Sequence, residues 1–247
     1  VAAAGPVAAA GPTASAAPAA DETHKLSLLR KTIAKRLAGS WQAMPHFFLT
    51  TIVDMTEAAA LRAKLNEVVA DTKISFNDLV IAATARALRL HPNINARFND
   101  DFSVTVFGDV HIGVAVAIDE GLVVPVVRHA DRSGIADISR QVRVLGKRAK
   151  ERKLSPDEMT GSTFTISNLG MFDIDEFTAV IQPGEGAILA VGALTDEPVV
   201  HDGQIVVRKR MKLTLSSDHR VINGADGAVF LKALKGLLEQ PLRLLVS

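Results

Sequence analysis

The chain has 247 residues, 48% of them hydrophobic, with a mean hydropathy of +0.21 and 28 basic residues against 27 acidic ones. A net charge of +1 gives no sign of a nucleic acid or an anionic membrane as partner, and the composition is too apolar for disorder throughout. With no cysteine, the chain offers no disulfide framework, no cysteine metal site and no thiolate to carry an acyl group, and it fits a reducing compartment.

Residues 1–20 are almost entirely Ala, Pro, Gly, Ser and Thr, a texture that cannot bury a core and reads as a semi-extended linker. A chain that starts on Val1 with no secretory pattern is expected to be a fragment of a longer protein. Leu26, Leu29, Ile33, Leu37 and Trp41 recur at helical spacing, and Met44-Pro45 ends that helix. A strand is expected over 47–55, then a helix capped by Thr56 and running to about residue 70, then an apolar helix over 76–90 stopped by His91-Pro92. Strands are expected over 102–107, 111–118 and 122–127, and a basic-faced helix over 135–153. Five more follow at 162–167, 186–191, 199–200, 205–210 and 212–217, with Asp202-Gly203 as a hairpin turn. A last helix spans 224–240. The longest apolar runs fall far short of a membrane span. Strands and helices mix without strict alternation, which predicts an α/β fold, a sandwich built on a mixed sheet.

The most informative stretch is Ser216-Ser217-Asp218-His219-Arg220-Val221-Ile222-Asn223-Gly224. Asn223 is the expected N-cap of the last helix, with Asp226 three residues on completing a capping-box pattern. His219 then lies ahead of the positive end of the helix dipole, a field that favours the neutral ring. A neutral imidazole near roughly pH 6.5 suits general-base work on a thiol near roughly 8.5. The same residues also fit a cap and a strand-end histidine with no chemical role. Asp218 is a poor orienter of His219, because neighbouring strand residues face opposite ways; an ion pair with a nearby arginine suits it better.

The segment Ser217-Asp218-His219-Arg220-Val221-Ile222-Asn223-Gly224-Ala225 resembles the signature of the dihydrolipoamide acyltransferases, the cores of the 2-oxoacid dehydrogenase complexes. Four more motifs fit that family in order: residues 30–36 with Pro45-His46-Phe47, Ser75-Phe76-Asn77-Asp78, Gly121-Leu122-Val123-Val124-Pro125-Val126, and Phe164-Thr165-Ile166-Ser167-Asn168-Leu169-Gly170. The resemblance runs from about Leu26 to the C-terminus, and the Ala/Pro-rich start is similar to the family's interdomain linkers. It implies a linker over residues 1–24 and a catalytic core domain over 25–247. The fold would be a two-layer, mixed-sheet sandwich of the chloramphenicol-acetyltransferase-like type, assembled as trimers. Residues 171–181 and 186–189 look closest to pyruvate-type acetyltransferases, with succinyl and branched-chain transferases as runners-up.

The resemblance implies coenzyme A and an S-acyl-dihydrolipoyl group as substrates, His219 as base, Ser167 as oxyanion donor and Asn223 as an orienting residue. It also points to Thr163, Phe164 and Asn168 as ligand contacts, and to no metal. His219 and Ser167 would come from neighbouring subunits. From the residues alone, Ser167 before Asn168-Leu169-Gly170 reads equally well as a turn serine. Relatives usually carry Asp where this chain has Asn223, so no charge pairing is expected there; a non-catalytic oligomeric scaffold is the rival reading. Expected partners are further copies of the chain (trimers building a cubic 24-mer or a dodecahedral core), a lipoyl domain, and the pyruvate-decarboxylating and dihydrolipoamide dehydrogenase components. The setting would be a bacterial cytoplasm or a mitochondrial matrix. The family's Asp-Lys lipoyl motif is absent, so the acyl arm would lie upstream or on another chain.

Four features carry no site expectation or a weaker one. The basic run from Arg143 to Lys153 reads as a solvated helix face. Gly184-Glu185-Gly186 lacks the third glycine of a dinucleotide fingerprint. His24, His46, His91, His111, His129 and His201 show no metal-ligand spacing. The apolar tail of Leu242, Leu244, Leu245 and Val246 is expected to dock, preferably into a neighbouring chain.

Overall fold

A computed structural model describes residues 21–119 and 121–246; the linker expected over residues 1–20 lies outside them. In chain order the elements are α1 (Leu28–Ala43), β1 (His46–Asp54), α2 (Thr56–Val68), α3 (Phe76–Leu90), β2 (Ala96–Phe98), β3 (Val104–Val106), β4 (Ile112–Val114) and β5 (Val116–Ile118). Then follow β6 (Gly121–Val123), β7 (Val126–Val127), α4 (Ile135–Lys150), β8 (Phe164–Asn168), β9 (Ala187–His201), β10 (Gln204–Asp218), α5 (Gly224–Glu239) and α6 (Arg243–Val246).

Six strands form one mixed sheet in the order β1-β10-β9-β8-β4-β7. β8 runs parallel to both β9 and β4, while β1, β10 and β7 pair antiparallel with their neighbours. The expected breaks near 191–199 and at Met211 do not interrupt the chain: β9 and β10 are single 15-residue strands, with a register shift between Met211 and Leu213. Their hairpin turns at Asp202 and Gly203, both at positive φ (50° and 78°), the geometry that Asp-Gly supplies at least cost.

Helices line one face of the sheet. Phe164 packs against Phe230 of α5 with ring centroids 6.0 Å apart, and Leu215 and Leu49 close on Gly227. Val191, Leu189, Ile166 and Leu213 belong to the same buried core, and α3 lies beside α5. A capping box between Ser75 and Asp78 starts α3. Strand alternation then sends Thr163, Thr165, Ser167, Thr214 and Ser216 to the opposite face. That hydroxyl face is covered by the segment 172–186. Ala193 N–H donates to the Ile174 carbonyl (2.8 Å), Lys212 Nζ bonds Asp175 (2.7 Å), and the Thr50 hydroxyl bonds both Glu176 and Thr214 (2.9 Å each). The cover needs Gly192: a Cβ there would lie 2.0 Å from the Asp175 carbonyl oxygen.

Three local expectations are corrected. Thr56 does not cap α2 but opens it; Asp54 Oδ1 accepts its N–H (3.0 Å), and its own hydroxyl accepts from Lys209 N–H (3.1 Å). The stripe on α1 is only partly covered: Ile33 and Leu37 are half-buried, while Leu26 is 47% and Trp41 55% exposed. The tail is divided: Leu244 is buried in the chain's own core, whereas Leu242, Leu245 and Val246 are exposed.

Candidate active site

The turn from β10 into α5 is held by backbone bonds at both ends. Asp218 N–H donates to the Gly186 carbonyl (2.8 Å), His219 N–H to Pro45 (3.0 Å), and the Asp218 carbonyl accepts from Val221 and Ile222 (3.0 and 2.9 Å). Asn223 caps α5 by accepting the Asp226 N–H on Oδ1 (2.9 Å); the return bond of a full capping box is missing, so the sequence expectation holds by half. This geometry presents the His219 ring at the surface, 4.8 Å from the Phe47 ring. Neither ring nitrogen has a hydrogen-bond partner among the described residues.

Asp218 is spent on structure. Its carboxylate, 1% exposed, takes a forked bond from Arg220 (Nε to Oδ1 3.0 Å, guanidinium to Oδ2 2.8 Å) and a third from the Arg220 N–H. The Arg220 guanidinium also stacks 4.2 Å over the Phe98 ring, tying the β2–β3 hairpin to the histidine turn. Bonding to Asp218 raises the Arg220 pKa further above its ordinary value. No local signal foretells this stack, because Phe98 lies over a hundred positions away.

Ser167 sits on β8, half-buried, on the hydroxyl face. Its hydroxyl has no hydrogen-bond partner among the described residues. The turn that follows is made by its neighbour instead: Asn168 Oδ1 accepts the Gly170 N–H (2.9 Å), and Asn168 Nδ2 donates to Asn77 (3.1 Å). Two residues expected as ligand contacts have their side chains engaged within the fold. Phe164 is fully buried in the core, and the Thr163 hydroxyl is occupied by the backbone N–H (3.1 Å) and carbonyl (3.3 Å) of His111. Asn168 is engaged on both ends of its amide.

One chain does not bring His219 and Ser167 together. Ser167 pairs with Ala190, and Ala190 with Thr214, five residues before His219. Two strand spacings across and five residues along separate them by roughly 19 Å. His46 is structural: Nδ1 faces the Met44 carbonyl (2.9 Å) and Nε2 accepts the Ile181 N–H (3.1 Å).

Folding assembles one group that the spacing of histidines did not foretell. Ligand atoms of Asp109, His111 and His129 lie within 4.8 Å of one another. They are already engaged. Arg132 bonds Asp109 (2.8 Å), and His111 Nδ1 accepts the His129 N–H (3.1 Å). Arg132 thus supplies beside Asp109 the positive charge that a cation would bring.

The model of the family described as 2-oxoacid dehydrogenases acyltransferase (catalytic domain) matches residues 18–246. A relative from Schizosaccharomyces pombe, described as the mitochondrial dihydrolipoyllysine-residue acetyltransferase component of the pyruvate dehydrogenase complex, is 46% identical over 90% of this chain and 46% of its own length. The chain spans about half the length of the curated relatives it matches. Among solved structures, Azotobacter vinelandii dihydrolipoamide acetyltransferase superposes with a TM-score of 0.88 at 33% identity, covering 92% of this chain and 94% of that one. The cubic core of the pyruvate dehydrogenase multienzyme complex does so at 0.88 and 34%, with the same coverage. Chloramphenicol acetyltransferase, at 0.52 and 16% over 83% of this chain and 94% of that one, shares the fold. By its sequence match and its fold, the chain belongs to the 2-oxoacid dehydrogenase acyltransferase family, as a catalytic domain.

Proposed function

We propose that this domain transfers an acetyl group between S-acetyl-dihydrolipoyl and coenzyme A, at a site shared by two subunits of a trimer. The observation that carries this reading is the pair of unengaged groups, the His219 ring and the Ser167 hydroxyl, held on firm backbone yet roughly 19 Å apart in one chain. A second copy that places its Ser167 against this chain's His219 turn completes the pair. The Azotobacter vinelandii enzyme supports it. The serine, histidine and asparagine studied there for their roles in catalysis are separated in sequence as Ser167, His219 and Asn223 are here. That relative also carries asparagine at the third position, so Asn223 is no mark of an idle scaffold.

His219 takes the thiol proton of coenzyme A, and the thiolate adds to the thioester carbonyl. Charge develops on the carbonyl oxygen, and Ser167 donates its hydroxyl hydrogen bond there. Collapse of the tetrahedral adduct breaks the bond to the dihydrolipoyl sulfur, which leaves as thiolate and takes the proton back from the imidazolium. Both sulfurs have similar acidity, so the same base serves either direction. No acyl-enzyme is formed, in keeping with a chain that has no cysteine.

The exposed Leu242, Leu245 and Val246 beside the docked Leu244 support assembly of trimers into a larger core through the tail, of the cubic kind solved for a relative. A lipoyl domain and the decarboxylating and dehydrogenase components complete the proposed complex, in a bacterial cytoplasm or a mitochondrial matrix. Acetyl transfer from acetyl-coenzyme A to free dihydrolipoamide, run beside succinyl and isobutyryl donors, tests the reading. It predicts the acetyl donor as fastest; no transfer from any donor by an assembled protein overturns it.

A further inference from the structure

Glu185 is a buried acid that the reaction scheme does not use. It is 2% exposed, at the turn leading into β9. Its Oε1 accepts the hydroxyls of Ser162 and of Thr165 (2.9 Å), while Oε2 has no partner among the described residues. Among the described residues no cation pairs with it. Arg128, on the neighbouring segment, bonds the carbonyls of Asp157 and Thr160; Asp218 is committed to Arg220, and the His111 ring faces His129. Burial, only partly opposed by the two hydroxyl bonds, pushes the carboxyl up to about 7.

The placement matters because Thr165 and Ser167 lie two residues apart on the same face of β8. That spacing is about 7 Å, which puts the Glu185 carboxyl about 10 Å from the Ser167 hydroxyl. We propose that Glu185 is a positioning residue for acyl transfer: as the neutral acid it anchors β8 and keeps the ground behind Ser167 free of negative charge, and its ionisation opposes the developing oxyanion. This rests on the acyltransferase reading above. At an effective dielectric constant of about 20, a unit negative charge about 10 Å from the oxyanion slows the step on the order of tenfold.

The test compares the intact wild-type protein with Glu185→Gln, which keeps an Oε1 acceptor for both hydroxyls and cannot ionise. Rates are measured with acetyl-coenzyme A and dihydrolipoamide from pH 6 to 8.5. Ionisation of the substrate thiols and of His219 is common to both proteins and cancels in the ratio. The ratio of wild-type to variant rate is expected to fall on the order of tenfold as pH rises, with its midpoint near 7. A ratio independent of pH overturns the proposal. Thr165→Val provides a second reading that does not depend on Glu185→Gln folding. It removes a bond that favours the ionised acid, so the inflection of the rate profile moves to higher pH; an unmoved inflection counts against Glu185. If wild type assembles but transfers nothing, the acyltransferase reading fails and takes this proposal with it. A transferring wild type with a flat ratio sinks this proposal alone.

Discussion

The two faces of the central sheet are made by alternate residues of the same strands, and they differ in kind. Toward the helices, β8 and β10 present Phe164, Ile166, Leu213 and Leu215, all 1% exposed or less. Toward the other side the same strands present Thr165, Ser167, Thr214 and Ser216. Apolar burial on the first face stabilises the domain. The second face buries hydroxyls and a lone carboxyl, some without partners: Ser216 Oγ and Glu185 Oε2 are both unbonded among the described residues. Unpartnered polar atoms are not confined to that face: Ser217 Oγ of β10 and Thr84 Oγ1 of α3 also lack partners among the described residues. The contrast is between a face whose burial builds the domain and a polar face on which the proposed oxyanion donor Ser167 stands.

Substitutions on the two faces should therefore separate into rate effects and stability effects. The largest expected change is in rate: His219→Ala should lower acetyl transfer on the order of a thousandfold or more with assembly intact. Ser167→Ala should remove about 3–4 kcal/mol of transition-state stabilisation with little change in melting. Wild-type turnover in either variant would break the assignment. On the helix face, Phe164→Ala should lower unfolding free energy by about 3–5 kcal/mol in denaturant melts. The KM for coenzyme A should stay unchanged; a selective rise would restore the ligand role that burial denies it.

Arg220→Ala joins the two behaviours. It strands a buried Asp218 carboxylate, for which breaking a buried pair costs about 3–5 kcal/mol. A third of the Arg220 side chain is exposed, so the lower end, about 3 kcal/mol, is expected by chemical denaturation, with a loosened histidine turn and reduced turnover. Glu185 gives the most conditional effect. Its folded pKa is raised from 4.5 to about 7, so the folded state holds the proton more tightly than the unfolded chain. The associated stability is fully present below about pH 4.5 and is lost as pH rises through about 7, a total of about 3 kcal/mol. Melts of Glu185→Gln should lack that decline; parallel pH profiles would contradict it.

Much of the fold was legible in the sequence because local signals agreed with the tertiary structure. The end of α3 follows from His91-Pro92, and Asp202-Gly203 marks its hairpin. Strand alternation argued against Asp218 as the orienter of His219, and the arginine pair expected in its place is the Arg220 bridge. The continuity of β9 through Thr195–Pro198 was not, because charged and proline residues there sit on an exposed hairpin arm that pairing sustains. Ligand roles for Thr163 and Phe164 came from a motif that marks a strand as a whole and does not reveal which face each residue takes. Glu185 looked like a failed glycine motif; only folding, which buries it under 162–165, gives it meaning. The roughly 19 Å between His219 and Ser167 is also a product of register, invisible to a linear reading.

The central claim is that the hydroxyl face of one subunit completes the histidine turn of the next. Co-expressing His219→Ala and Ser167→Ala chains tests it most directly. Each variant alone is inactive, but in a cyclic trimer every mixed assembly regains one intact site, and equal random mixing returns about a quarter of wild-type activity. Activity no higher than the mean of the two parent variants, in assemblies shown to contain both chains, would contradict the account.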